Sequence, residues 1–299
     1  MNPTLDPRLT DFSFEHRHAA HVARLIDTHI HYGGDPKDLA MLVEACRVSR
    51  IETMFVIDWN LVDRKPWLRQ VDDALGIGRG AIPFCKLNLQ SNDPAQVDRA
   101  YDLGFWGLKW IGNSVAYDDR FFDPLLVRAQ ERHMACLFHT GVLSGGQQTG
   151  SGMSLMRADQ LDTVAKRYPG LLIQGAHLGC PNIDEAIWGS EFCDNLIWDC
   201  CGGCRFHCDA NPYVLHSAMH RRTRAWKSIT FATDSTQGMY PPEWADGWSS
   251  RIDHRLAEWQ KILAALPMPP TSEQLDDLFY GNARRWVDRI RAGRGERPA

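Results

Sequence analysis

The sequence predicts a single (β/α)8 barrel. Three observations carry that prediction. From residue 24 onward short apolar strands alternate with helical segments, the pattern of a parallel sheet. The alternation runs through eight units with strand starts roughly 25–40 residues apart, which suits closure of the sheet on itself. No glycine-rich phosphate loop follows the first strand, which weakens the alternative of an open doubly wound sheet.

The first strand is expected over 24–30, where Leu25 to Ile30 are mostly apolar or β-branched and Gly33-Gly34 stop the run. A helical stretch over 37–49 leads to an apolar strand over 51–57. A second helix over 66–75, ended by Gly76, leads to a strand over 81–87. Asp93-Pro94 is a helix cap followed by proline, so a helix is expected over 94–102, closed by Gly104 and followed by a strand over 105–111. Asp123-Pro124 repeats the signal for a helix over 123–132 and a strand over 135–139. The remaining pairs are 158–167 (ended by Gly170) with 171–177, 183–192 with 196–200, and 212–221 with 229–233; helices over 251–266 and 272–291 follow. Loops 141–157 and 235–250 are long, as lids and substrate walls tend to be. The organisation expected is an irregular arm over 1–23, the barrel domain over 24–291 and a tail over 292–299. His16, His18 and His21 belong to the arm and read as solvated.

Composition bounds the function. The chain has 299 residues, 44% hydrophobic and 23% charged, with net charge −4, an ordinary globular balance. No Lys/Arg run supports a nucleic-acid partner, and no apolar run has membrane-spanning length. The first twenty residues hold no signal-peptide core and the nine cysteines are an odd number, so reduced thiols in the cytoplasm are expected.

The chemistry is written at the strand ends. In such a barrel all strand C-termini open on one face. Ile26-Asp27-Thr28-His29-Ile30-His31 ends the first strand, and alternation places Asp27, His29 and His31 on one face. Two imidazoles there can share a cation, with Asp27 orienting a ring from behind. The fourth strand ends in Gly107-Leu108-Lys109-Trp110, the fifth in Phe138-His139-Thr140-Gly141, the sixth in Gly175-Ala176-His177-Leu178-Gly179 and the eighth in Thr233-Asp234-Ser235. Each sets one ionisable residue after an apolar run, and burying a lone charge is costly. Two residues earlier stand Gly107, Leu137, Gly175 and Ala232; the three small ones read as room around an ion.

This ordered set resembles the amidohydrolase superfamily, and most closely the amidohydrolase-related branch that holds both hydrolases and non-oxidative decarboxylases. Gly281-Asn282-Ala283-Arg284-Arg285-Trp286 resembles that branch's closing motif, and the similarity spans about residues 24–290. The resemblance implies one divalent metal held by His29, His31, His139 and Asp234, most simply Zn2+, with Mn2+ as the alternative. It implies Asp234 as general base and His177 as acid/base. In binuclear members a carboxylated lysine on the fourth strand bridges two metals; one metal is the reading preferred here, with Lys109 contacting substrate or lying behind the ligands.

Trp110, Arg205, Tyr240 and Trp244 are the further candidates for substrate contact, with Trp106 and Trp248 in the same aromatic group. Cys200-Cys201-Gly202-Gly203-Cys204-Arg205-Phe206-His207-Cys208 has no second separated cysteine pair, so free thiols at the mouth of the site are expected rather than structural zinc. The function expected is hydrolysis of an amide, lactone or similar cyclic carbonyl compound by metal-activated water. The alternatives are metal-dependent decarboxylation of an aromatic or unsaturated acid and, from another class, an inactive barrel acting as a binding protein. The partner expected is a small-molecule substrate; the assembly is left open, a homodimer being common among similar proteins.

Overall fold

The computed structural model of the chain describes residues 24–32, 51–58, 80–143, 152–201, 223–236 and 270–295, together with 215, 216, 218, 262, 263 and 265–268. The expected arm, the helices at 37–49 and 66–75, most of those at 212–221 and 251–266, and Gly76, Arg205, Tyr240, Trp244 and Trp248 lie outside these residues.

Eight parallel strands form a nearly closed barrel: β1 (Leu25–Tyr32), β2 (Ile51–Asp58), β3 (Ala81–Lys86), β4 (Gly107–Trp110), β5 (Ala135–Phe138), β6 (Ile173–Gly175), β7 (Leu196–Cys200) and β8 (Ile229–Phe231). A ninth segment, β9 (Ser235–Thr236), continues from β8 and pairs with β1 through Ile30 and Ser235. It brings the two edges together. At the seam Thr28 Oγ1 donates to the Phe231 carbonyl at 3.0 Å, and the Asp234 amide donates to the His29 carbonyl at 2.9 Å.

Between the strands lie α1 (Ala95–Asp102), α2 (Asp123–Glu131), α3 (Ala158–Arg167), α4 (Ile183–Phe192) and the short α5 (Thr223–Trp226). The Asp93 carboxylate accepts the Ala95 amide at 3.0 Å, as the Asp-Pro signal predicts. Asp123 instead stands inside α2, after a 3-10 turn that Asp119 caps. The last expected helix is divided into α6 (Ser272–Asp276), a π turn (Asp277–Gly281) and α7 (Asn282–Gly293). Thr271 and Gln274 form a capping box at its start. After the π turn, Asn282 Nδ2 donates to the Trp226 and Ile229 carbonyls, which pins α7 to the entry of β8. Among the described residues no helix is long and apolar enough to cross a membrane.

Two apolar clusters flank the sheet. The outer one joins strand residues such as Met54, Leu108, Phe138 and Trp198 to helix residues such as Val97, Leu125, Leu161 and Ile183. The inner one fills the barrel with Ile26, Phe55, Ile57, Ile82, Phe84, Leu137 and Ile197, and α7 closes it with Ala283, Trp286, Val287 and Ile290. Each Val, Leu, Ile, Phe or Met among these contributes about 1.5–3 kcal/mol when fully buried.

The register corrects the expected alternation on β1. Asp27 is level with Met54 and Ile30 with Val56, so three steps on β1 match two on β2. That extra residue is a bulge. Ile26 therefore joins the inner cluster while Leu25 and Ile30 join the outer one, and Asp27 pairs with the outward Met54 rather than sharing a face with His31.

Two of the three small residues serve another purpose than the one expected. A Cβ on Gly107 would lie 2.3 Å from the Phe84 ring, and one on Gly175 would lie 2.1 Å from the Trp198 ring. They make room for aromatic side chains, not for an ion.

Candidate metal centre

The bulge in β1 turns both imidazoles into the strand C-terminal mouth. His29 Nε2 lies 3.2 Å from His31 Nε2 and 3.5 Å from Asp234 Oδ1, and His31 Nε2 lies 3.1 Å from the same oxygen. Asp234 reaches this point from a left-handed backbone at φ 53°, an uncommon conformation for a residue other than glycine. A tetrahedral centre with bonds of about 2.0–2.1 Å spaces its donors about 3.3 Å apart. The triangle His29–His31–Asp234 has that size, and its three residues form a group able to hold a metal ion.

His139 and His177 form a second imidazole pair beside the first. His139 Nε2 donates to the Val142 carbonyl at 3.1 Å, and His177 Nδ1 donates to the Cys201 carbonyl at 3.2 Å. Carbonyls only accept, so in a neutral ring each of these nitrogens carries the proton and the other holds the lone pair. The lone-pair nitrogens, His139 Nδ1 and His177 Nε2, face each other at 3.2 Å. Two facing lone pairs repel unless a cation or a shared proton sits with them. Of the four expected ligands the structure thus gathers His29, His31 and Asp234 into one triangle and turns His139 toward His177.

His177 reaches the site by a different route from the one alternation suggests. β6 stops at Gly175, and His177 and Leu178 have φ of 60° and 48°. The reversed turn swings the imidazole into the mouth and its amide onto Asp199 Oδ1 at 2.9 Å.

Asp199, on β7, is the functional residue that sequence reasoning missed. Its Oδ2 accepts from His29 Nδ1 at 3.0 Å and from Gln174 Nε2 at 2.9 Å. Its Oδ1 also accepts the Cys201 thiol at 2.8 Å. A lone carboxylate in the apolar run Leu196–Cys200 is the signal for it in the sequence. Asp199 takes the ring-orienting place expected of Asp27. Asp27 instead accepts the Thr233 amide at 3.1 Å and the Thr233 hydroxyl at 2.6 Å, and so fastens β1 to β8.

Lys109 is fully buried and does not snorkel to solvent; its Nζ lies 3.0 Å from His29 Nε2. Trp110, its neighbour, points the other way. Its ring stacks on Phe138 at 4.8 Å and meets Phe122 edge-on at 5.5 Å, inside the outer cluster. It is a packing residue and does not line the mouth. Trp106 packs against the inner cluster, with the Arg294 guanidinium 5.8 Å from its ring. Cys201 is buried, its sulfur 3.3 Å from His177 Nδ1; Cys204, His207 and Cys208 lie outside the described residues.

Electrostatics leaves these groups ready for a cation. Burial, then the Lys109 charge, lowers His29 to about 4. Burial also lowers His31 and His139. Burial pushes the Asp234 carboxyl up, but the neighbouring imidazoles outweigh it and hold the group below the usual carboxylate range. Asp199 behaves alike, through His29 and His177. Burial brings Lys109 down to about 8. At neutral pH the imidazoles of His29, His31 and His139 are neutral donors and the two aspartates are anions.

The comparisons with known proteins agree with the barrel fold. No curated protein matches the chain in sequence. Among solved structures, an uncharacterised TIM-barrel protein from Bordetella bronchiseptica is 15% identical, with a TM-score of 0.60 over 89% of this chain and 99% of its own. A candidate 2-pyrone-4,6-dicarboxylic acid hydrolase from Pseudomonas putida is 14% identical, with a TM-score of 0.56 over 89% and 98%. A 4-oxalomesaconate hydratase from Rhodopseudomonas palustris is 12% identical, with a TM-score of 0.52 over 91% and 98%. A family model described as Amidohydrolase matches residues 26–289, nearly the whole barrel, and the chain belongs to that metal-dependent amidohydrolase 2 family.

Proposed function

We propose that this protein is a metal-dependent hydrolase acting on a carbonyl carbon of an amide, lactone or similar cyclic compound. The observation that carries the reading is the donor triangle of His29, His31 and Asp234, with edges of 3.1–3.5 Å. These three residues would hold the cation, with His139 as the expected fourth ligand and Zn2+ or Mn2+ as the ion. A cation held there supplies Lewis-acid polarisation of a substrate oxygen and acidification of water.

The chain's own groups do the rest. Asp234 is ionised and its side chain is 28% exposed, so it stands where incoming water meets protein. It takes that water's proton as general base. His177 Nε2 receives that proton from Asp234 and delivers it to the leaving atom, so both groups end the cycle as they began. One lone pair serves one partner, so with His29 Nε2 committed to ligation the Lys109 amine, 3.0 Å away, would be left to hydrogen-bond substrate. Asp199 keeps the His29 ring in the Nδ1–H tautomer, which directs Nε2 at the cation.

The test is a screen of lactones, cyclic amides and aromatic acids against Zn2+- and Mn2+-loaded protein in 18O-labelled water. Hydrolysis puts one label into the product. Release of CO2 without label would replace this reading with decarboxylation. His29→Ala and Asp234→Asn should each lower turnover at least about 1,000-fold with an unchanged circular-dichroism spectrum. His177→Asn should lower turnover and keep its metal. Near wild-type activity in His29→Ala or Asp234→Asn would remove the ligand assignment.

A further inference from the structure

We propose that Asp199 is the positioning residue of this centre: one buried carboxylate that sets both the metal-facing ring of His29 and the reversed backbone of His177. The inference deepens the hydrolase reading and rests on it for its catalytic meaning.

A carboxylate offers about four acceptor sites, and Asp199 uses them on four donors from three stretches of chain: β1, β6 with its following turn, and the residue after β7. Oδ2 takes the His29 Nδ1–H and Gln174 Nε2–H; Oδ1 takes the His177 amide and the Cys201 thiol. All four donors are buried. Gln174 Nε2 also donates to the Thr28 carbonyl at 3.0 Å, so the same cluster grips the β1 bulge that presents His29.

The geometry explains two costly features at once. Left-handed backbone at two successive residues other than glycine costs roughly 1–2 kcal/mol each, and His177 and Leu178 both adopt it. The Asp199–amide bond holds that turn. A neutral imidazole can also carry its proton on either nitrogen, and only Nδ1–H leaves Nε2 open toward His31 and Asp234. The carboxylate at 3.0 Å selects that tautomer. Ligand and acid/base are therefore referenced to one rigid group, as productive geometry requires.

Asp199→Asn is the sharp perturbation. An amide has one accepting oxygen and one donating nitrogen, so it cannot serve donors on both sides. Chelator competition on the variant should show metal affinity reduced about 10- to 100-fold, while His177→Asn alone keeps wild-type affinity. Turnover should fall through kcat more than KM. In the double variant Asp199→Asn/His177→Asn at saturating metal, the loss in kcat should fall clearly short of the product of the two single losses, because part of the Asp199 effect passes through His177. Unchanged affinity in Asp199→Asn, or fully multiplicative losses in the double variant, would overturn the proposal.

A second measurement needs no variant. In 15N-histidine spectra of the metal-free wild-type protein, His29 should carry its proton on Nδ1; an Nε2–H tautomer would overturn the assignment. This readout stands apart from the hydrolase reading. A wild-type protein that takes up no metal ends that reading, while the tautomer still judges Asp199.

Discussion

Asp27 and Asp199 are both fully buried aspartates at the same end of the barrel, yet their protons behave oppositely. Asp199 sits against imidazoles and stays ionised. Asp27 is hydrogen-bonded by the neutral Thr233 hydroxyl and by backbone amides, which only partly offset burial, and its pKa rises to about 7. Its folded value lies above the unfolded one of 3.8. The stability it contributes is therefore full below about pH 4 and lost as pH rises through about 7. Asparagine keeps an accepting oxygen and does not titrate. We expect the unfolding free energy of metal-free Asp27→Asn to gain on the wild type by about 4 kcal/mol between pH 4 and 8, read by urea denaturation across that range. Parallel pH profiles would show that Asp27 is not raised. With Lys109 directed into the barrel, Trp110 must face outward, and its place in the outer cluster follows from that step.

Among the elements, the strands were legible because each is a short apolar run between helical segments. Their ends were not. β6 and β8 stop earlier than the apolar pattern, at Gly175 and Phe231, and two residues beyond each end a side-chain carboxylate takes the amide: Asp199 that of His177, and Asp27 that of Thr233. Such bonds are non-local and leave no periodic trace. The site residues were legible for a different reason, since an ionisable group closing an apolar run needs an explanation wherever it stands. The bulge that aligns His29 with His31 left no such mark. Glycine against an aromatic ring is another element-level feature. Gly175→Ala places a Cβ against Trp198, and Gly107→Ala places one against Phe84. Each should cost about 1–3 kcal/mol by overpacking, seen as a lower Tm. Pairing Gly175→Ala with Trp198→Phe should recover part of that loss; equal Tm values for Gly175→Ala and the wild type would mean that the contact is not tight.

Across the whole molecule, stability and chemistry occupy opposite ends of the barrel. α7 closes one end with Trp286, Val287 and Ile290, while the ionisable groups collect at the other. Trp286→Ala should cost about 3–5 kcal/mol of stability and leave metal affinity at the wild-type value, measured by thermal unfolding and chelator competition on the same sample. A matching loss of affinity would mean that the two ends are coupled.

The seam has a consequence for biosynthesis. His31 and Asp234, whose side chains meet at 3.1 Å, stand 203 positions apart along the chain, one at the opening strand and one at the last turn before the ring is joined. A nascent polypeptide cannot offer the complete donor set until that last turn has left the ribosome. Ion capture would then act as a late latch, rewarding only chains whose ring has shut.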